Sequence, residues 1–127
     1  MVLCDTNILI EFYKNTPHII QELKHITLHN LAISAITKGE LYFGALNKVE
    51  LQKIKQHIKL LHQFFLTKTI SKKFIALMET YCLSYKLSIP DSIIAATAIV
   101  HDIELYTLNK KDFQYISNIK LYHTKIN

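Results

Sequence analysis

Asp5, Glu40 and Asp91 are the residues of this sequence whose types and settings invite chemistry. Asp5 follows the apolar run Val2-Leu3-Cys4 and opens the triplet Asp5-Thr6-Asn7, which favours turns and helix caps, before Ile8, Leu9, Phe12 and Tyr13 recur at helical spacing. It therefore falls at a strand-to-helix junction, and open α/β sheets bind ligands just outside the carboxyl ends of their strands. Capping the helix explains Asp5 equally well, a duty Thr6 or Asn7 can also fill. Glu40 lies in a helix expected from about Thr37 to Leu46, on a face with Ile36, Phe43 and Gly44 where an apolar residue is expected. A lysine partner or a reach to water would satisfy it without chemistry. Asp91 sits in the first turn of a helix opened by Pro90-Asp91-Ser92, where the helix dipole stabilises a negative charge by about 0.3–1 kcal/mol.

Three acids gathered without lysine partners repel one another unless a cation neutralises them. Oxygen donors, with no Cys/His cluster at zinc spacing, point to Mg²⁺ or Mn²⁺ rather than zinc. Other chemistries find little support. The seven histidines are scattered, no serine has a nucleophile-elbow context, and the two glycines, Gly39 and Gly44, are too few for a phosphate-cradling loop.

The elements that must position these acids alternate between strand and helix. Strands are expected at Val2–Cys4, Leu31–Ser34, Leu66–Ile70, Glu104–Thr107 and Ile119–Tyr122. Between them lie a second helical segment after Pro17, a long amphipathic helix over Val49–Phe65, a helix capped by Ser71, and an apolar, buried helix over Ile93–Val100. Such alternation argues for an α/β fold with a parallel sheet and helices on both faces.

With 127 residues, half of them hydrophobic, the chain suits one domain, 1–127, with a core that needs no staples. The formal charge is +5 and all 15 basic residues are lysine, so a polyanionic partner is plausible although no arginine fork is present. Cys4 and Cys82 read as buried free thiols, which favours a reducing compartment. With no leader pattern and no apolar stretch of about 18 residues, a soluble, cytoplasmic protein with no membrane attachment is expected.

Four segments together resemble the PIN-domain toxins of the VapC type, the ribonuclease halves of bacterial type II toxin–antitoxin pairs. They are Leu3-Cys4-Asp5-Thr6-Asn7, the run from Ile33 to Ala45 with its Glu40, the run from Pro90 to Ala98 with its Asp91, and Leu105-Tyr106-Thr107-Leu108-Asn109-Lys110-Lys111-Asp112-Phe113. The resemblance implies a three-layer α/β/α sandwich with a mainly parallel central sheet, and an endoribonuclease whose acids hold Mg²⁺ or Mn²⁺ to activate a water. It gives Asp5, Glu40 and Asp91 the role of principal acids. The fourth acid of the family stands either at Asn109 or at Asp112; the charge is assigned here to Asp112, leaving Asn109 as a supporting polar contact. Thr6, Asn7 and Thr107 match positions beside the acids. The implied partners are an RNA substrate, a cognate antitoxin and a second copy of the chain, in a homodimer and a toxin–antitoxin hetero-oligomer. Lys38, Lys110 and Lys111 would draw in the RNA backbone.

Two other readings compete. A non-catalytic PIN-like domain would keep the acids to bind RNA or protein. A receiver-like domain would use Asp5 as phosphoacceptor, yet Asp5 has Cys4 and Thr6 as neighbours and the expected third strand carries no acid.

Overall fold

The computed structural model describes residues 1–126. Four parallel strands, β1 (Val2–Cys4), β2 (Leu31–Ser34), β3 (His62–Phe64) and β4 (Glu104–Tyr106), form a sheet in the order β3-β2-β1-β4. Six α-helices connect them: α1 (Thr6–Tyr13), α2 (Pro17–Ile26), α3 (Ala35–Phe43), α4 (Lys48–Ile58), α5 (Lys68–Tyr81) and α6 (Ile89–Val100). None is long and apolar enough to cross a membrane.

The side-chain alternation of the strands divides the interior into two cores. Val2, Cys4, Leu31, Ile33 and Tyr106 point to one face and pack against Ile8 and Leu9 of α1, Ile19 and Leu23 of α2, and Ile54 and Ile58 of α4. Leu3, Ala32 and Leu105 point to the other face, against Ile70 and Leu77 of α5 and the apolar side of α6. Helices thus cover both faces of a parallel sheet, the three-layer α/β/α sandwich expected. Because β1 lies between β2 and β4 and is covered on both faces, its residues are apolar without alternation. The expected burial of α6 holds, with Ser92 and Ile94 through Ala98 all enclosed.

Two expected elements are displaced. The helix expected over Val49–Phe65 ends at Ile58, and the third strand is His62–Phe64 rather than Leu66–Ile70. Leu61 and Phe65 prolong the helical spacing beyond the helix, and the edge strand His62-Gln63-Phe64 is too polar and exposed to announce itself. The next helix starts earlier than a Ser71 cap would give: the Thr67 side chain accepts from Ile70 N–H at 3.2 Å, and Ile70 becomes a buried helical residue. The fifth strand expected at Ile119–Tyr122 is reduced to one parallel bridge between Leu105 and Leu121, made by Leu105 N–H to Lys120 and Tyr122 N–H to Leu105, both 2.8 Å. Cys4 is buried and Cys82 half-buried, both as free thiols.

Candidate active site at the carboxyl edge of the sheet

Asp5 stands immediately beyond β1 and is almost wholly buried. Its backbone N–H donates to Tyr106 at 2.9 Å, extending the β1–β4 ladder by one step, and its carboxylate is held from two sides. Thr6 N–H donates to Oδ1 at 2.7 Å, the N-cap bond of α1, while the buried Thr107 hydroxyl donates to Oδ2 at 2.7 Å. The capping and functional readings of Asp5 are therefore not exclusive. One oxygen caps the helix, and the bond from Thr107, just beyond β4, fixes the carboxylate's rotation.

Glu40 reaches the same edge from α3. Its Oε1 lies 2.6 Å from the Thr6 hydroxyl, which is also 3.0 Å from the Thr37 hydroxyl. With one proton to give, the Thr6 hydroxyl serves the charged oxygen and accepts from Thr37. The helix face expected for Glu40 is corrected here: Phe43 is 93% exposed, and α3 buries Thr37 and Leu41 instead. Glu40 is thus at the rim of the buried face, and its partner is a threonine rather than a lysine. Thr37, expected only as the start of its helix, is buried at the end of this relay, and its N–H is capped by Ser34 at 3.2 Å. Its signal was available, a small polar residue one helical turn before the acid.

Asp91 occupies the first turn of α6, with Ser88 as the N-cap. Desolvation lifts its carboxyl from the ordinary range to about 6, and the charges of Asp5, Asp112 and Glu40 add to the lift, against one hydrogen bond to Ser88. Asp5 is raised too, first by burial and then by Glu40 and Asp112, opposed by the Thr107 and Thr6 bonds. These four acids share one electrostatic neighbourhood. Among the described residues the ion pairs are Lys14 with Glu11 and Lys120 with Asp102, so no lysine salt bridge relieves the cluster.

Asp112 lies in a short 3-10 turn over Lys110–Asp112 and is exposed. The structure brings its charge to Asp5 and Asp91. Asn109 takes part through its backbone, whose N–H donates to the Thr107 hydroxyl at 3.0 Å. Asn7 braces the same loop, accepting from Leu108 N–H at 3.3 Å. Lys110 and Lys111 border a cavity of about 590 Å³ with Thr107 and Asp112, whereas Lys38 is turned to Gln63 at 2.8 Å.

The four acids do not line a single cavity. Asp91 and Asp112 share one of about 310 Å³, and Glu40 borders another of about 830 Å³ between α1, α3 and α4. Among the described residues, no three His, Cys, Asp or Glu side chains stand ready to grip one ion. The donor set nevertheless suits a hard divalent cation, being all carboxylate oxygen with mutual repulsion that a cation would discharge. Among the described residues, the acids are gathered electrostatically rather than by convergence on one point.

Residues 2–118 match the PIN domain family model. The chain belongs to the PIN-domain family, and within it the resemblance is to the VapC-type members. It is 34% identical to a chain of a toxin–antitoxin complex from Klebsiella pneumoniae, with a TM-score of 0.81 over 94% of this chain and 95% of that one. It is 27% identical to a chain of VapBC-1 from nontypeable Haemophilus influenzae, at 0.80 over 96% and 97%. FitAcB from Neisseria gonorrhoeae, at 23% identity, shares the fold with a TM-score of 0.81 over 97% of each chain. No curated protein matches in sequence. Family membership leaves the receiver-like reading without support.

Proposed function

We propose that this chain is a Mg²⁺- or Mn²⁺-dependent endoribonuclease, the toxin component of a type II toxin–antitoxin pair. The observation that carries the reading is that the carboxyls of Asp5 and Asp91 are both raised, first by burial and then by neighbouring carboxylates unpaired with lysine, at the carboxyl edge of a parallel sheet. Asp5, Asp91, Glu40 and Asp112 would hold the cation. When bound, it supplies Lewis-acid chemistry, lowering the pKa of a water and neutralising charge on the phosphate. Thr107 fixes the rotation of Asp5, and Thr6 does the same for Glu40. Both restrain a carboxylate while its neighbours repel it. Exposed Lys110 and Lys111 offer the RNA backbone a counter-charge beside Asp112.

The toxin role draws support from the likeness to chains of toxin–antitoxin complexes. An antitoxin has an apolar landing place in the α1–α3–α4 groove, bordered by Ile10, Leu46 and Val49, each strongly exposed. Continuous burial of such residues by a partner helix, and pairing of two copies, make up the proposed hetero-oligomer and homodimer.

A non-catalytic PIN-like domain is favoured by one observation, the absence of a ready three-ligand group among the described residues. RNA cleavage with and without Mg²⁺, on wild type and Asp5→Asn, separates the two. Metal-dependent cutting that Asp5→Asn loses by about a hundredfold or more supports the nuclease. Equal activity in the two proteins, or none in either, sinks it.

A further inference from the structure

Beside the acids stands an aromatic assembly in which Tyr81 and Tyr115 pack against the second core while Tyr85 remains exposed, and the metal site does not require it. The rings of Tyr85 and Tyr115 are parallel within 3° at a centroid distance of 4.0 Å. Tyr81 braces both edge-on, at 6.0 and 5.2 Å, and its hydroxyl accepts from Ser117 N–H at 3.0 Å, tying the stack to the loop after Asp112. Tyr85 stays 56% exposed although Tyr115 covers one of its faces. The cavity of about 310 Å³ is lined by Tyr85, Tyr115, Lys86, Lys111, Asp91 and Asp112. Lys86 holds a backbone φ of 55°, in the left-handed region that costs a non-glycine residue energy.

We propose that Tyr85 and Tyr115 form a stacking platform for an unpaired base of single-stranded RNA, with Lys86 and Lys111 holding the adjoining phosphates beside Asp91 and Asp112. The inference rests on the nuclease reading for the choice of RNA as ligand. Stacked tyrosines offer an open π-face that accepts any base, and lysines at the same cavity neutralise the backbone that comes with it. Single-stranded segments are the form of RNA whose bases can be splayed onto aromatic rings. The exposed Leu83 and Ile89 nearby would suit a protein partner, but the core of such an interface is depleted in lysine and aspartate, which crowd this cavity.

The test is the affinity of a short fluorescent single-stranded oligoribonucleotide, measured by anisotropy in the Asp5→Asn background so that the probe stays intact. Tyr85→Ala weakens binding roughly 5- to 150-fold, while Tyr85→Phe, which keeps the π-face, retains it. An oligonucleotide of the same length lacking its bases binds more weakly and is indifferent to Tyr85→Ala. Lys86→Gly removes a charge and suits the φ of 55°, so the protein stays folded while the salt dependence of binding flattens by about 0.7 in log–log slope. Unchanged affinity in Tyr85→Ala overturns the platform, and if sedimentation shows that this variant instead loses self-association, the patch is a protein contact. Wild-type cleavage alongside Tyr85-independent binding refutes the platform and leaves the nuclease standing. Tyr85-dependent binding without wild-type cleavage does the reverse.

Discussion

Thr107 donates its hydroxyl hydrogen to Asp5 Oδ2 at 2.7 Å, joining the loop after β4 to the end of β1 across 102 residues of sequence. That bond favours the ionised carboxylate, against the burial that disfavours it. Thr107→Val keeps the shape and removes the donor. Asp5 then titrates higher, divalent-ion affinity and RNA cleavage fall about 10- to 100-fold, and stability drops by about 1 kcal/mol. Mg²⁺ titration of cleavage checks it, and a variant with wild-type Mg²⁺ dependence would show that the bond has no positioning role.

The acids also set a pH dependence. A carboxyl raised to about 6 contributes stability that is complete below its unfolded pKa near 3.8 and is lost as pH rises through about 6. Without divalent ions, Asp91→Asn therefore stabilises the protein at pH 7, by about 1 kcal/mol once solvent screening is allowed for, and the gain vanishes toward pH 4. Added Mg²⁺ raises the wild-type Tm more at pH 7 than at pH 5. Thermal melts across that range decide, and a pH-independent Mg²⁺ effect would contradict the assignment.

The contributions to the Asp91 elevation have an order, with Asp112 ahead of Glu40. In metal-free protein, Asp112→Asn lowers the Asp91 pKa from about 6 by more than Glu40→Gln does, and Asn109→Ala leaves it in place. Carbon-detected NMR titration of the Asp91 carboxyl resolves the three. A larger effect from Asn109 would move the fourth corner of the site away from Asp112.

Glu22 of α2 is fully buried and accepts from the Tyr122 hydroxyl and from the N–H groups of Lys125 and Ile126. Burial alone would raise its carboxyl, yet these bonds, aided by His25, hold it below the ordinary value. Its contribution is therefore present above the unfolded pKa and lost as pH falls through the folded one, opposite in sign to Asp91. Glu22→Leu leaves the phenol and two N–H groups unpaired and costs on the order of 2–4 kcal/mol in denaturant unfolding, with RNA binding retained by the folded fraction. A cost under about 0.5 kcal/mol would mean that water replaces the carboxylate freely.

The chain's local chemistry determined much of this on its own. Short apolar runs and helical spacing marked β1, β2, β4 and most helices, because burial is written in side-chain type. The resemblance of four ordered segments supplied the acids and the sandwich. What only the tertiary structure decided was whatever lacks a local signature. The edge strand His62–Phe64 is half wet and so carries no apolar pattern, while Leu61 and Phe65 carried a helical one past its end. Glu40's inward direction could not be taken from its helix face, since Phe43 points to solvent, and it is fixed by Thr6, 34 residues away. Asp5 looked like a cap or a ligand. The fold gives its two oxygens to Thr6 and to Thr107, a division that exists only once β1 and β4 lie side by side.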